Sequence, residues 1–324
     1  VSRRRPGFAG NGQPDGDRRR RRGGRGLLVP EADFRSYYGR PILKEPAWTL
    51  EVPWYFFVGG MAGASAPLAV AARMSGNERL ARSALTVAGA GIAASVPLLV
   101  SDLGRPERFH HMLRVFKPTS PMSMGSWALA AMGPAAVGAA VSDRLGILPG
   151  LGRAAEVVSG VIGPSICTYT AALVANTAVP VWHEARQELP LVFAGSALAS
   201  AGAASALLTP AADAGPARRL AVTGAVVELA AGQVMERRLG ELAEPYHQGA
   251  AGRYARLAKG CTAAGAAAMA LAGRRRPLAM AGAGLLLAGS AFERLAVYKA
   301  GFQSARDPKY VVKPQRARLE AANR

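Results

Sequence analysis

The sequence predicts an all-α membrane protein with eight transmembrane helices and both termini on one side. Three observations predict it. The 324 residues are 50% hydrophobic with a mean hydropathy of +0.12, but this average hides a segregation: the first 50 residues and the last 25 are polar and basic. The middle reads as successive apolar stretches parted by short charged breaks, each stretch near the ~20 residues a bilayer requires. The basic residues are also distributed unevenly between alternate breaks, as orientation in a membrane demands.

In chain order, residues 1–46 are expected to form a basic, largely disordered cytoplasmic tail. Its arginine run, Arg18 to Arg22, is followed by no apolar export segment and accompanied by no folded basic domain, so neither an export signal nor nucleic-acid binding is expected. Attraction to anionic lipid or to an acidic partner suits it better. Residues 47–300 form the membrane domain, with spans near 53–74, 82–103, 122–141, 154–176, 190–209, 218–236, 257–273 and 277–298. These are rich in Ala and Gly, and small residues four apart, such as Gly59 and Gly63, let helix backbones approach closely. The seventh span is short and has Lys259 near its start. Ser120 and Pro121 suit the N-cap and N1 positions of the third. Residues 301–324 form a basic C-terminal tail.

With an even number of spans, the terminal side collects 28 Lys and Arg residues and the other side 10, flanks included; without the N-terminal tail the comparison is 16 against 10. The positive-inside rule then places both termini in the cytoplasm, as for a protein of the cell's inner membrane.

On that topology polar groups gather at the terminal side. Glu51, Trp54 and Tyr55 lie at the entrance of the first span. Asp102 and Arg105 end the second, as a bidentate pair closing the helix or as members of a site. His110, His111, Arg114 and Lys117 fill the next break, and Trp182, His183 and Glu184 follow the fourth span. His111, adjacent to His110, is expected to be solvated. All four histidines lie outside the spans, so axial haem ligation inside the membrane is not expected. The two cysteines, Cys167 and Cys261, form no CxxC or Cys/His cluster, so no iron–sulfur cluster and no metal is expected. Electrons could then pass only through an organic cofactor, and a quinone suits a membrane site. Its carbonyl oxygens need hydrogen-bond donors and its protons need titratable groups. Tyr169 in the fourth span, Asp102, Glu51 and the histidines are those residue types.

Glu228 stands apart, in the middle of the sixth span. A carboxylate there costs about 2.5–3.5 kcal/mol on insertion scales and is functional by default. Glu156 and Glu293 are candidates to extend it into a proton relay; a protonated, hydrogen-bonded Glu228 is the alternative.

Four segments resemble the NrfD/PsrC family, the membrane subunits of polysulfide-reductase-like oxidoreductases. They are PWYFFVGGMAGAS (53–65), DLGRPERFHHMLRVFKPTSPMSMGSW (102–127), YTAALVANTAVPVW (169–182) and AVYKAGFQSARDP (296–308). The resemblance implies eight helices in two four-helix bundles and no redox metal in this chain. It implies a ferredoxin-like iron–sulfur partner subunit and, through it, a molybdenum or tungsten pterin catalytic subunit. It also implies a quinone slot near the start of the first helix that uses a fourth-helix tyrosine, which Tyr169 matches, and menaquinone is the expected quinone. The polysulfide-reducing type carries an Asn and a His at the helix entrance, where this chain has Glu51 and Trp54. The charge count places the docking face in the cytoplasm, which fits a formate dehydrogenase-like partner. Tyr169, Asp102 and Glu228 are the expected catalytic residues, and Glu51, Trp54, Tyr55, Arg105, His110, Tyr169 and His183 the quinone-binding ones. Two other classes stay open: a structural anchor without its own quinone site, and an ion or proton transporter.

Overall fold

The structure, a computed structural model, describes residues 42–322. Most of the expected N-terminal tail, with Arg18 to Arg22, lies outside the described residues. Eight long helices make up most of the rest: α1 (Glu51–Met74), α2 (Glu78–Ser101), α3 (Pro121–Leu145), α4 (Pro149–Ala175), α5 (Leu189–Leu208), α6 (Gly215–Leu239), α7 (Gly249–Leu271) and α8 (Arg276–Arg306). A shorter α9 (Lys309–Ala322) follows. The break before α3 holds the 3-10 helix Pro106–Leu113, the one before α5 a single turn, Pro180–Glu184, and the one before α7 the 3-10 helix Gly240–Tyr246.

The ends of these helices are chemically marked. Asn77 accepts from the Leu80 N–H at the start of α2. Ser120 accepts from the Ser123 N–H at the start of α3, with Pro121 just inside, as the sequence predicts. Gly146 adopts the left-handed conformation (φ 67°) that ends α3.

Each expected span coincides with one of the long helices, but only α1 to α5 and α8 are both long and apolar enough to cross a membrane on composition. α6 carries Arg218, Arg219, Glu228, Glu236, Arg237 and Arg238, and α7 carries Arg253, Arg256 and Lys259. Length and apolarity thus mark six of the eight expected spans, and not α6 and α7. α8 runs to Arg306, past the expected boundary at 300, and the segment after it is helical.

α1 to α4 pack on one another, as do α5 to α8; α1 and α4 meet α5, and α1 also meets α8. Small residues permit these contacts. A Cβ on Gly163 would lie 2.3 Å from the Gly63 carbonyl oxygen, so α1 and α4 cross in backbone contact. The aromatic part of the core lies at the end where α1 begins and α8 finishes, and includes Val52, Phe56, Trp182, Phe193, Tyr246 and Val297. Alanine dominates the core towards the opposite end.

Candidate functional site

The end at which α1 begins is built by residues far apart in the sequence. Asp102, the C-cap of α2, accepts from the Thr49 N–H at 2.9 Å and the Thr49 hydroxyl at 2.6 Å. Just before Thr49, Trp48 stacks on Trp182, with ring centroids 5.3 Å apart. The Trp48 carbonyl accepts from the Tyr298 hydroxyl at 2.7 Å. The Trp182 indole N–H donates to the Val297 carbonyl at 2.8 Å. Its ring fills the space a side chain at Gly301 would take, since a Cβ there would fall 1.9 Å from Trp182 Cε2. Arg306 closes the corner with two hydrogen bonds to Glu45, at 2.9 and 3.1 Å. The segments around residues 53, 102, 182 and 298 thus converge on one end.

Tyr169, on α4, joins them. Its ring packs against Gly125 of α3: a Cβ at 125 would sit 2.0 Å from Cε2. Tyr169 and Leu99 each touch both the aromatic cluster and a second one containing Leu129, Met132 and Ile166. The Tyr169 hydroxyl has no hydrogen-bond partner among the described residues, although the group is only half buried. Tyr55 is fully buried, and its hydroxyl is also without a partner there.

The other expected site residues are dispersed. Trp54 is 44% exposed and packs against Phe57, because neighbouring positions on α1 face different ways. Arg105 and His110 are exposed, and no ion pair joins Arg105 to Asp102 among the described residues; Thr49 holds that carboxylate instead. The rings of His110 and His111 touch edge to face at 4.4 Å. Loss of water, then the charges of His110, Arg114 and Arg108, push the His111 imidazole below its ordinary value. His183 is exposed, with Nδ1 3.3 Å from the Ala175 carbonyl oxygen. Glu51 is half buried at the start of α1.

A second constellation lies deeper, between α5, α6, α7 and α8. Glu228, Glu293 and Arg294 are 4%, 8% and 1% exposed. Arg294 donates to the Phe193 carbonyl at 2.9 Å and stacks over the Phe193 ring at 3.6 Å. It approaches Glu293 to 3.2 Å, an ion-pair distance, but neither Glu293 oxygen has a well-directed hydrogen bond. The Thr262 hydroxyl donates to Glu228 Oε1 at 3.2 Å, and Oε2 is bare. Glu228 and Glu293 line a cavity of about 250 Å³. A larger hollow of about 460 Å³, between Leu239, Glu244, Tyr310 and Lys313, lies under α9 and away from both constellations. Glu156 is elsewhere: Arg73 holds it at 2.8 Å, together with Asp143, at the opposite end.

Sequence reasoning missed Arg294, Trp48 and Thr49. A guanidinium in the middle of an apolar span was a signal for Arg294; nothing local marked the other two.

Helices of this length and composition, packed on alanine and glycine, define a multi-pass helical membrane protein. A sequence model of the family described as polysulphide reductase, NrfD, matches residues 44–243, and the chain belongs to the NrfD family. That match covers α1 to α6; the resembling segment at 296–308 lies beyond it. No curated protein matches the chain.

Proposed function

We propose that the chain is the quinone-reactive membrane subunit of a respiratory oxidoreductase, exchanging electrons between a partner iron–sulfur subunit and the menaquinone pool. The observation that carries this reading is the placement of Tyr169. An unpaired phenol rests on Gly125 between two apolar clusters, at the end that also holds Asp102 and Tyr55. These residues fit a quinone headgroup: apolar walls for the ring, a free donor for a carbonyl oxygen, and a carboxylate near water to hold a proton. A bound quinone would supply the two-electron chemistry. Tyr169 would orient it and donate a hydrogen bond, and Asp102 would hold or pass the proton.

In this reading α6 and α7 also cross the membrane, their charges turned inward or to the ends, giving eight spans in two four-helix bundles. Both termini lie in the cytoplasm, where the basic residues concentrate. The partner is a ferredoxin-like subunit linked to a molybdenum or tungsten pterin enzyme of formate dehydrogenase type.

Quinone reduction by the purified complex tests this, with an artificial acceptor followed in parallel. Tyr169→Phe and Asp102→Asn should abolish quinone turnover and leave the artificial-acceptor rate intact. Unchanged quinone turnover in both variants would leave the chain as an anchor.

A further inference from the structure

We propose that Glu228 and Glu293 form a proton-binding site that holds one exchangeable proton and opens only towards the end of the molecule carrying Asp102. The inference is independent of where the quinone binds.

The first argument is charge balance. Two carboxyl groups and one guanidinium share an interior more than nine-tenths buried. A lone buried carboxylate loses its hydration without recompense. Arg294 neutralises one carboxylate, so the other keeps a proton. Glu293 is the ionised partner, at 3.2 Å from Arg294. Glu228 holds the proton on Oε2, since Oε1 accepts from Thr262.

Among the described residues, the surrounding groups add no second cation deep in the site. α5 contributes the Ser196 hydroxyl and the Phe193 carbonyl, α4 the Cys167 thiol, and the 3-10 turn the Tyr246 hydroxyl, which has no hydrogen-bond partner. The Lys259 ammonium on α7 lies further out and pairs with Glu236 at 2.7 Å.

The second argument is access. The cavity of about 250 Å³ holds both carboxyl groups and is lined by Gln233, Glu236 and Lys259, whose side chain is 45% exposed, and by the exposed Ala263. It has room for several waters, at roughly 30 Å³ each. Its mouth lies between α6 and α7, in the half of the molecule that shares a core with Trp182 and Val52. In the other direction the Ser196 and Ser290 hydroxyls bond to each other at 2.6 Å. Beyond them Ala199, Ala225, Met269 and Leu286 pack without exposure. A proton can therefore enter and leave on one side.

Dicyclohexylcarbodiimide, which reaches membrane-buried acids, tests the site in membranes containing the full chain. The carboxyl proton passes to a carbodiimide nitrogen and the carboxylate oxygen bonds to the central carbon, and rearrangement leaves a stable N-acylurea that mass spectrometry locates. The expected adduct is on Glu228, and is lost in Glu228→Gln. It is also lost in Glu293→Gln, because Glu228 then ionises as the sole partner of Arg294. Wild-type protein left unlabelled at both glutamates, with its fold intact, overturns the proposal; so does a Glu293→Gln protein that still labels on Glu228. In a chain lacking its own cysteines, Gln233→Cys should react with a membrane-impermeant thiol reagent. Reaction at Ser200→Cys, beyond the serine pair, would overturn the one-sided access.

Discussion

The ring of Tyr169 occupies the space that any side chain at position 125 would need: a Cβ on Gly125 would lie 2.0 Å from its Cε2 atom. Two segments singled out separately in the sequence, 102–127 and 169–182, are thus halves of one contact. Gly125→Ala should therefore disturb Tyr169 specifically. Overpacking costs about 1–3 kcal/mol, and a helical alanine in place of glycine returns about 0.5–1 kcal/mol. The net loss of stability should be small, but the phenol must move. Quinone turnover should fall at least tenfold with the artificial-acceptor rate unchanged. A variant with full quinone turnover would show that the position of the phenol does not matter.

Asp102 has a structural duty as well as a proposed chemical one, and substitutions separate them. Its Oδ1 takes both hydrogen bonds from Thr49. Asp102→Asn keeps an acceptor oxygen at that place, so it should leave thermal unfolding nearly unchanged. Asp102→Ala loses the contact, which at typical capping strengths costs about 1 kcal/mol. Turnover lost equally in both variants marks a need for the carboxylate. Turnover lost only in the alanine variant marks a need for the Thr49 contact.

The helices were largely legible because amphipathic and apolar runs are local properties. The cap at Ser120 and Pro121 was legible for the same reason. The gathering of polar groups at one end was expected from alternating topology; the structure brings Asp102 to the end where α1 begins and leaves Arg105, His110 and His183 exposed. The Asp102–Thr49 contact was not legible, because the partners are 53 residues apart and only tertiary packing joins them. The sequence instead suggested the nearby Arg105, which faces solvent. Arg294 escaped because its meaning depends on Glu228 and Phe193, on two other helices. The charges of α6 weakened its apolar signal, although Glu228 is turned inward.

At the opposite end, Arg73 binds Glu156 at 2.8 Å, Asp143 at 3.0 Å and Glu78. All but Glu78 are well buried. The two sides of this network are not equivalent. Glu156→Gln leaves Arg73 with two carboxylates and should cost little. Arg73→Met leaves Glu156 with only the distant Arg153, at 3.8 Å, and Asp143 with Arg82, at 3.0 Å, so its cost should fall at the lower end of the about 3–5 kcal/mol that breaking a buried pair carries. Thermal unfolding in detergent should rank Arg73→Met well below Glu156→Gln. Equal melting of the two variants would mean that Arg73 contributes no more than packing.

α9 is held against the 3-10 turn by a pH-dependent contact. Glu244 accepts from Lys309 at 2.7 Å and from the Tyr310 hydroxyl at 3.0 Å. The Lys309 hydrogen bond, then that of Tyr310, holds the Glu244 carboxyl below its ordinary value, and the same carboxylate raises Lys309 above its own. A depressed carboxyl stabilises the folded contact above its unfolded value, and this is lost as pH falls through the lowered folded value. A raised ammonium stabilises it below its unfolded value, and this is lost as pH rises through the raised folded value. The contact should therefore hold across neutral pH and loosen at both extremes. Hydrogen exchange of residues 309–322 should be slow at neutral pH relative to chemical exchange, and lose that protection first in acid, as Glu244 takes up a proton. Glu244→Gln should remove the acid step and lower protection at neutral pH, with no change elsewhere in the helices. Protection of α9 that is flat with pH in both proteins would mean that other contacts, such as the Lys313–Glu241 pair at 2.8 Å, hold it in place.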